Sequence, residues 1–184
     1  MSHFSEMQII YAIQEFRNPV FDAFFRFLNY FDRSEFFFVL IPVVWVGIHW
    51  KSGLKLFYIL VLSSLTNYFL KRFFGLPRPL DLDPSVALIY TKGYGLPSGA
   101  AQSTALLSSL LVTFWKSSWR WPVAICYFTL LSFSRLYLGV HFPPDLLAGW
   151  AVGFALYGLF MWVVPPIEEK LQASHPLFLF LLSQ

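Results

Sequence analysis

The residues best suited to chemistry lie in one stretch, Ser134-Arg135-Leu136-Tyr137-Leu138-Gly139-Val140-His141-Phe142-Pro143-Pro144-Asp145. A histidine in an apolar chain is ordinarily a packed, hydrogen-bonded residue. His141 differs because Asp145 follows four residues later, while Pro143 and Pro144 suit a helix's first turn, where a missing N–H costs nothing. A helix starting there sets the carboxylate about one turn beyond the imidazole. The acid can then keep one ring nitrogen protonated and leave the other lone pair free to attack. Arg135 adds a permanent cation with a planar fork, suited to phosphate or carboxylate.

Two other clusters point to the same chemistry. In Lys71-Arg72-Phe73-Phe74-Gly75-Leu76-Pro77-Arg78-Pro79, Lys71 and Arg72 taken singly read as snorkelling anchors at a helix end. Arg78 is different, because the flanking prolines stiffen the backbone that carries it. In Gly95-Leu96-Pro97-Ser98-Gly99-Ala100-Ala101-Gln102, Ser98 is a good N-cap, and a helix start at Gly99 also presents backbone N–H groups to an anion. Lys71, Arg78, Arg135 and this helix start, placed together with His141, make a phosphate site containing a nucleophile. The remaining histidines, His3, His49 and His175, are scattered without metal-ligand spacing, so neither a metal nor a cofactor is expected.

The elements that must position these groups follow from composition. Hydrophobic residues make up 57% of the 184, charged residues only 12%, and mean hydropathy is +0.60. Soluble domains carry roughly twice that charge, so the excess apolar content belongs in lipid. The expected fold is an all-α integral membrane bundle forming a single domain over 1–184. Within it, 1–34 are interfacial helices, 35–165 the catalytic bundle and 166–184 a C-terminal tail. Five crossing helices are expected, or six at most, at 36–50, 54–70, 101–115, 121–138 and 146–164, the last ending at Pro165-Pro166. The apolar tail Leu177–Leu182 is too short to cross. Between spans, 75–97 reads as a loop rich in Gly and Pro.

Near the N-terminus, Asn18-Pro19 marks a break. Beyond it Asp22, Arg26, Asn29 and Arg33 share one helical face opposite Phe21, Phe24, Phe25, Leu28 and Phe31, which suggests an interfacial amphipathic helix with Asp22 and Arg26 as a surface pair. Glu6 sits where a signal peptide's basic region would be, so the spans themselves are expected to direct insertion. Cys126 is the sole cysteine, which excludes an intrachain disulfide, and it reads as a small buried hydrophobe. A net charge of +3 from scattered basic residues does not suggest nucleic acid. Alternating the spans places 71–97 and 139–145 on one membrane face. The other face carries Lys51, Lys55, Lys116, Arg120 and Lys170, and the positive-inside rule assigns it to the cytoplasm.

K-x6-R-P at Lys71 to Pro79, P-S-G at Pro97 to Gly99 and S-R-x5-H-x3-D at Ser134 to Asp145 together resemble the type 2 phosphatidic acid phosphatase superfamily, over about residues 60–165. The resemblance implies a metal-independent membrane hydrolase with a phosphohistidine intermediate. His141 would be the nucleophile and Asp145 its orienting partner. Lys71, Arg78 and Arg135 would hold the phosphoryl oxygens, helped by Ser98 and the Gly99 backbone. The second motif of the family reads P-S-G-H, and here the fourth residue is Ala100, which cannot protonate a leaving oxygen. Reduced turnover is therefore expected. With the other motif positions intact, an engineered histidine-to-alanine change accounts for Ala100, and a natural pseudoenzyme is the alternative. The implied partners are membrane lipids and a phosphorylated lipid substrate: an isoprenoid diphosphate such as undecaprenyl diphosphate, phosphatidate or phosphatidylglycerol phosphate. The setting expected is a bacterial plasma membrane with the site facing outward. The competing reading is a non-catalytic lipid-phosphate binder or transporter, although a transporter would more plausibly place charges deep within its spans.

Overall fold

Small residues on two facing helices organise the molecule. A computed structural model describes residues 4–47 and 50–174. Its main helices are α1 (Phe4–Gln14), α2 (Pro19–Leu28), α3 (Ser34–Gly47), α4 (Trp50–Phe74), α5 (Pro79–Leu82), α6 (Gly99–Phe114), α7 (Arg120–Tyr137) and α8 (Pro143–Ser174), with 3₁₀ turns at Asn29–Asp32 and Pro84–Val86. Helix α6 lies at the centre, packed on α8 and α7, while α3 and α4 pair and α4 also touches α6 and α8. A Cβ added at Gly149 of α8 would lie 2.5 Å from the Ser98 carbonyl oxygen and 2.9 Å from Ala101 Cβ. One added at Gly153 would lie 2.8 Å from Ala105 Cβ. Gly149 and Gly153 thus face Ala101 and Ala105 at four-residue spacing, the small-residue pattern that lets apolar helices approach closely. This approach also brings the first turn of α8 to the first turn of α6, where the Ser98 N–H donates to the Asp145 carbonyl at 2.9 Å.

The polarity of the bundle is that of a protein in lipid. Val46, Trp162, Phe38 and Phe69 face outward, whereas Gln102, Arg78, Arg135, His141 and Asp145 are buried. Helices α4 and α8 are long and apolar enough to cross a membrane, and α3 and α6 are shorter apolar helices. At the end of the bundle away from His141, Lys55 of α4 pairs with Glu168 of α8 at 2.7 Å.

The five core helices lie where the apolar runs predict, with several differences in detail. Helix α8 passes through Pro165 and Pro166 to Ser174 instead of ending there. Proline's fixed φ is helical, so the pair does not stop the helix outright, although it forfeits two N–H bonds and crowds the carbonyls of Met161 and Trp162 one turn earlier. The 75–97 loop contains α5 and a 3₁₀ turn, each opened by a proline. Cys126 is exposed, not buried. It lines an open apolar groove of about 410 Å³ with Leu28, Phe31, Tyr127 and Leu131, and in lipid such an outward position satisfies a thiol as well as a core would. His3, His49, His175 and the Leu177–Leu182 tail lie outside the described residues.

The N-terminal break is as expected, with Asn18 Oδ1 capping α2 by accepting from the N–H groups of Val20 and Phe21. The polar stripe that follows is not a purely solvated face. Asp22 accepts from Tyr137 Oη at 2.7 Å and pairs with Arg17 at 3.3 Å, and the charge of Arg26 acts on it as well. Gln14 Nε2 donates to the carbonyls of Val86 and Tyr137, which ties α1 to the end of α7.

Candidate active site

Helix α7 ends at Tyr137, and just beyond its cap Gly139 has a φ of +66°, a left-handed value that glycine adopts without penalty. A Cβ there would collide with the Val86 carbonyl oxygen. The chain then turns through Val140, His141 and Phe142 into α8. The Asp145 carboxylate folds back over this turn, its Oδ2 accepting from the Phe142 N–H at 2.9 Å and lying 3.2 Å from His141 Nδ1. On the other side of the ring, Arg78 Nη1 lies 3.2 Å from Nε2. Arginine can only donate, so Nε2 must carry the lone pair and Nδ1 the proton. The tautomer is therefore set from both sides.

Burial, reinforced by the charges of Arg78, Lys71 and Arg135, holds the His141 pKa well below the ordinary imidazole value. The neutral form thus persists when the surroundings become mildly acidic. The folded state binds fewer protons than the unfolded chain below about pH 6.5, so the stability from this group is full above that pH and lost as pH falls. Acid titration of thermal stability in detergent should show a decline beginning near pH 6.5 that a His141→Gln variant lacks.

The three predicted cations surround this ring. Lys71, in the last turn of α4, donates from Nζ to the carbonyls of Tyr94 and Gly95 at 2.7 and 3.0 Å. Arg78 is held by its Nε to the Gly93 carbonyl at 2.7 Å and by Nη1 to the Val140 carbonyl at 3.0 Å. Arg135, in the last turn of α7, is 3% exposed. Its Nη2 has no hydrogen-bond partner among the described residues. An unsatisfied buried charged donor is costly, at about 1–3 kcal/mol or more, and such a group is matched to an anion.

Ser98 is fully buried, and its Oγ accepts from the Ala101 N–H at 3.4 Å as the N-cap of α6. Its own N–H is taken by Asp145. The amides ahead of the cap, those of Gly99 and Ala100, have no carbonyl four residues back within the helix, so this helix start contributes donors through its backbone. Ala100 is buried beside them.

Residues 52–168 match the model of the PAP2 superfamily. The chain belongs to the PAP2 superfamily. It is 28% identical to dihydrosphingosine 1-phosphate phosphatase from Saccharomyces cerevisiae over 93% of this chain but only 46% of that protein. It is 33% identical to undecaprenyl-diphosphatase from Sulfolobus acidocaldarius over 80% of this chain and 75% of that protein. It thus spans about half the length of the first of these relatives. In fold it is similar to the crystal structure of a transmembrane PAP2 type phosphatidylglycerolphosphate phosphatase from Bacillus subtilis, with a TM-score of 0.79 at 23% identity, covering 94% of this chain and 89% of that one.

The PAP2 match begins at residue 52 and so leaves out α1, α2 and the 3₁₀ turn after them. Sequence reasoning missed part of the site in that turn: Asn29 Oδ1 and Asp32 Oδ2 accept from Arg135 Nη1 at 2.9 and 3.2 Å. It also missed a buried support inside the PAP2 region. Asn67 Nδ2 donates to Gln102 Oε1 at 2.9 Å and to the Pro97 carbonyl at 3.3 Å, and Gln102 Nε2 reaches Ser63 Oγ and O at 2.7 and 2.8 Å. This network pins α4 to the first turn of α6. Gln102 stands three residues after Gly99, and a lone amide there carries no sequence signal of its partner.

Proposed function

We propose that the chain is a metal-independent phosphatase of membrane lipid phosphates or diphosphates acting through a phosphohistidine on His141. The observation that carries the reading is the ring geometry: Nδ1 faces Asp145, and the Nε2 lone pair faces Arg78. A phosphoryl group drawing Arg78 onto its oxygens frees Nε2 to attack phosphorus in line. The N–P bond forms as the bond to the leaving oxygen breaks, and Asp145 stabilises the ring as it gains positive charge. Lys71, Arg78, Arg135 and the Gly99 and Ala100 amides spread over the equatorial oxygens, stabilising charge with donors already in place. Water then cleaves the N–P bond, releasing phosphate and restoring the neutral imidazole. Ala100 supplies no proton to the leaving oxygen, so the first half-reaction is the impaired one.

The names of the relatives favour a long-chain substrate: one acts on dihydrosphingosine 1-phosphate and another on undecaprenyl diphosphate. We assign the site to the outer face of a bacterial plasma membrane, because Lys51, Lys55, Lys116, Arg120 and Lys170 lie toward the opposite side. The second reading, a non-catalytic lipid-phosphate binder, is favoured by Ala100 alone. Incubation with a lipid diphosphate labelled at the terminal phosphorus should place an acid-labile, alkali-stable label on the protein, and His141→Ala should abolish it. A label that survives that substitution would sink the phosphohistidine route; no label on the intact chain would support the binder.

A further inference from the structure

We propose that Asn29 and Asp32, which lie outside the superfamily match, are positioning residues that aim Arg135 at the phosphoryl group. The inference rests on the phosphate site described above. A guanidinium has five N–H donors in one plane. Arg135 Nε donates to Ser134 Oγ at 3.0 Å, and that hydroxyl in turn donates to the Leu131 carbonyl at 2.6 Å. The two N–H groups of Nη1 meet Asn29 Oδ1 and Asp32 Oδ2, at 2.9 and 3.2 Å. Three in-plane acceptors, one on Nε and two on Nη1, fix both the rotation and the tilt of the plane. The two N–H groups of Nη2 on the remaining corner are buried and have no acceptor among the described residues. Of these three acceptors, α7 provides only Ser134. The 3₁₀ turn Asn29–Asp32, held against α7 by Phe25 and Leu28, provides the other two.

Asp32 exerts two effects of opposite sign on an incoming anion. As an acceptor it orients Arg135 and strengthens binding; as a charge it repels phosphate and weakens it. Asparagine keeps an acceptor at the same reach and removes the charge, whereas alanine removes both. Positioning therefore requires Asp32→Ala to bind phosphate more weakly than Asp32→Asn, because only the acceptor distinguishes the two. A turn that merely supported the fold would weaken binding in both variants in step with lost stability.

The test is the dissociation constant of inorganic orthophosphate in detergent, read by calorimetry, with thermal unfolding measured on each variant. Arg135→Ala should weaken phosphate by more than about tenfold, and Asn29→Ala with Asp32→Ala by about tenfold. Asp32→Asn should bind as tightly as the parent or tighter. With Arg135→Ala already present, the alanine pair should add less than about twofold, because its target is gone. If Arg135→Ala weakens phosphate and the alanine pair leaves it unchanged, or weakens it equally with and without Arg135, positioning is overturned while the phosphate site stands. Asp32→Asn weakening phosphate as much as Asp32→Ala also overturns it. If Arg135→Ala leaves affinity unchanged, the phosphate site itself is wrong, and this proposal falls with it.

Discussion

Replacing Ala100 with histidine should raise phosphate release from a lipid phosphate monoester such as phosphatidate by about 10²–10⁴-fold, the usual worth of a positioned general acid. The reason lies in the leaving group. Phosphatidate must expel an alkoxide, whose conjugate acid is an alcohol, and with Ala100 no side chain at that position gives it a proton. An isoprenoid diphosphate expels a phosphate monoester, a far weaker base that departs without one. The gain on the diphosphate should therefore be much smaller. Position 100 lies in the first turn of α6, next to Gly99, whose amide is among the donors of the proposed phosphate site. The measurement is phosphate release in detergent from both lipids, by the chain, its Ala100→His variant and that variant with His141→Ala. Equal gains on both lipids would refute the leaving-group argument. Activity independent of His141 would refute the nucleophile.

Gly153→Val should be the most damaging single change away from the polar site. Its Cβ would meet Ala105 Cβ at 2.8 Å and the Gln102 carbon at 3.2 Å, and the latter is backbone that no rotamer change can move aside. The helices must separate, and with them the Ser98–Asp145 contact that joins the two helix starts. A loss of about 3 kcal/mol or more is expected, lowering the midpoint of thermal unfolding by roughly 6–12 °C. Gly158→Val is the control, because a Cβ there meets nothing within 4 Å. Both variants can be read by unfolding in the same detergent. A Gly153 variant as stable as the Gly158 one would show that α6 and α8 are not held by close approach.

The chain order alone was enough for the five core helices and for the histidine–aspartate pair. Apolar runs of 15–19 residues are longer than ordinary strands and too apolar for soluble loops, and Pro143 and Ser98 mark helix starts through backbone chemistry that acts within a few residues. The His141–Asp145 spacing is likewise local: one helical turn fixes it whatever packs around it. Burial was less legible, as Cys126 illustrates. An apolar residue in a span faces either lipid or protein, and hydropathy is the same for both. The continuation of α8 through Pro165 and Pro166 was hidden for a related reason, since a proline pair weakens a helix without saying whether its neighbours hold it. Only tertiary structure decided how the cations are held. Asn29 and Asp32 reach Arg135 across 106 and 103 residues, and Arg78 reaches His141 across 63. Those contacts exist because Gly149 and Gly153 let α8 close on α6 and because α2 packs on α7. Side-chain hydrogen bonds act over about 3 Å, so no spacing in the sequence records a partner that helix packing delivers.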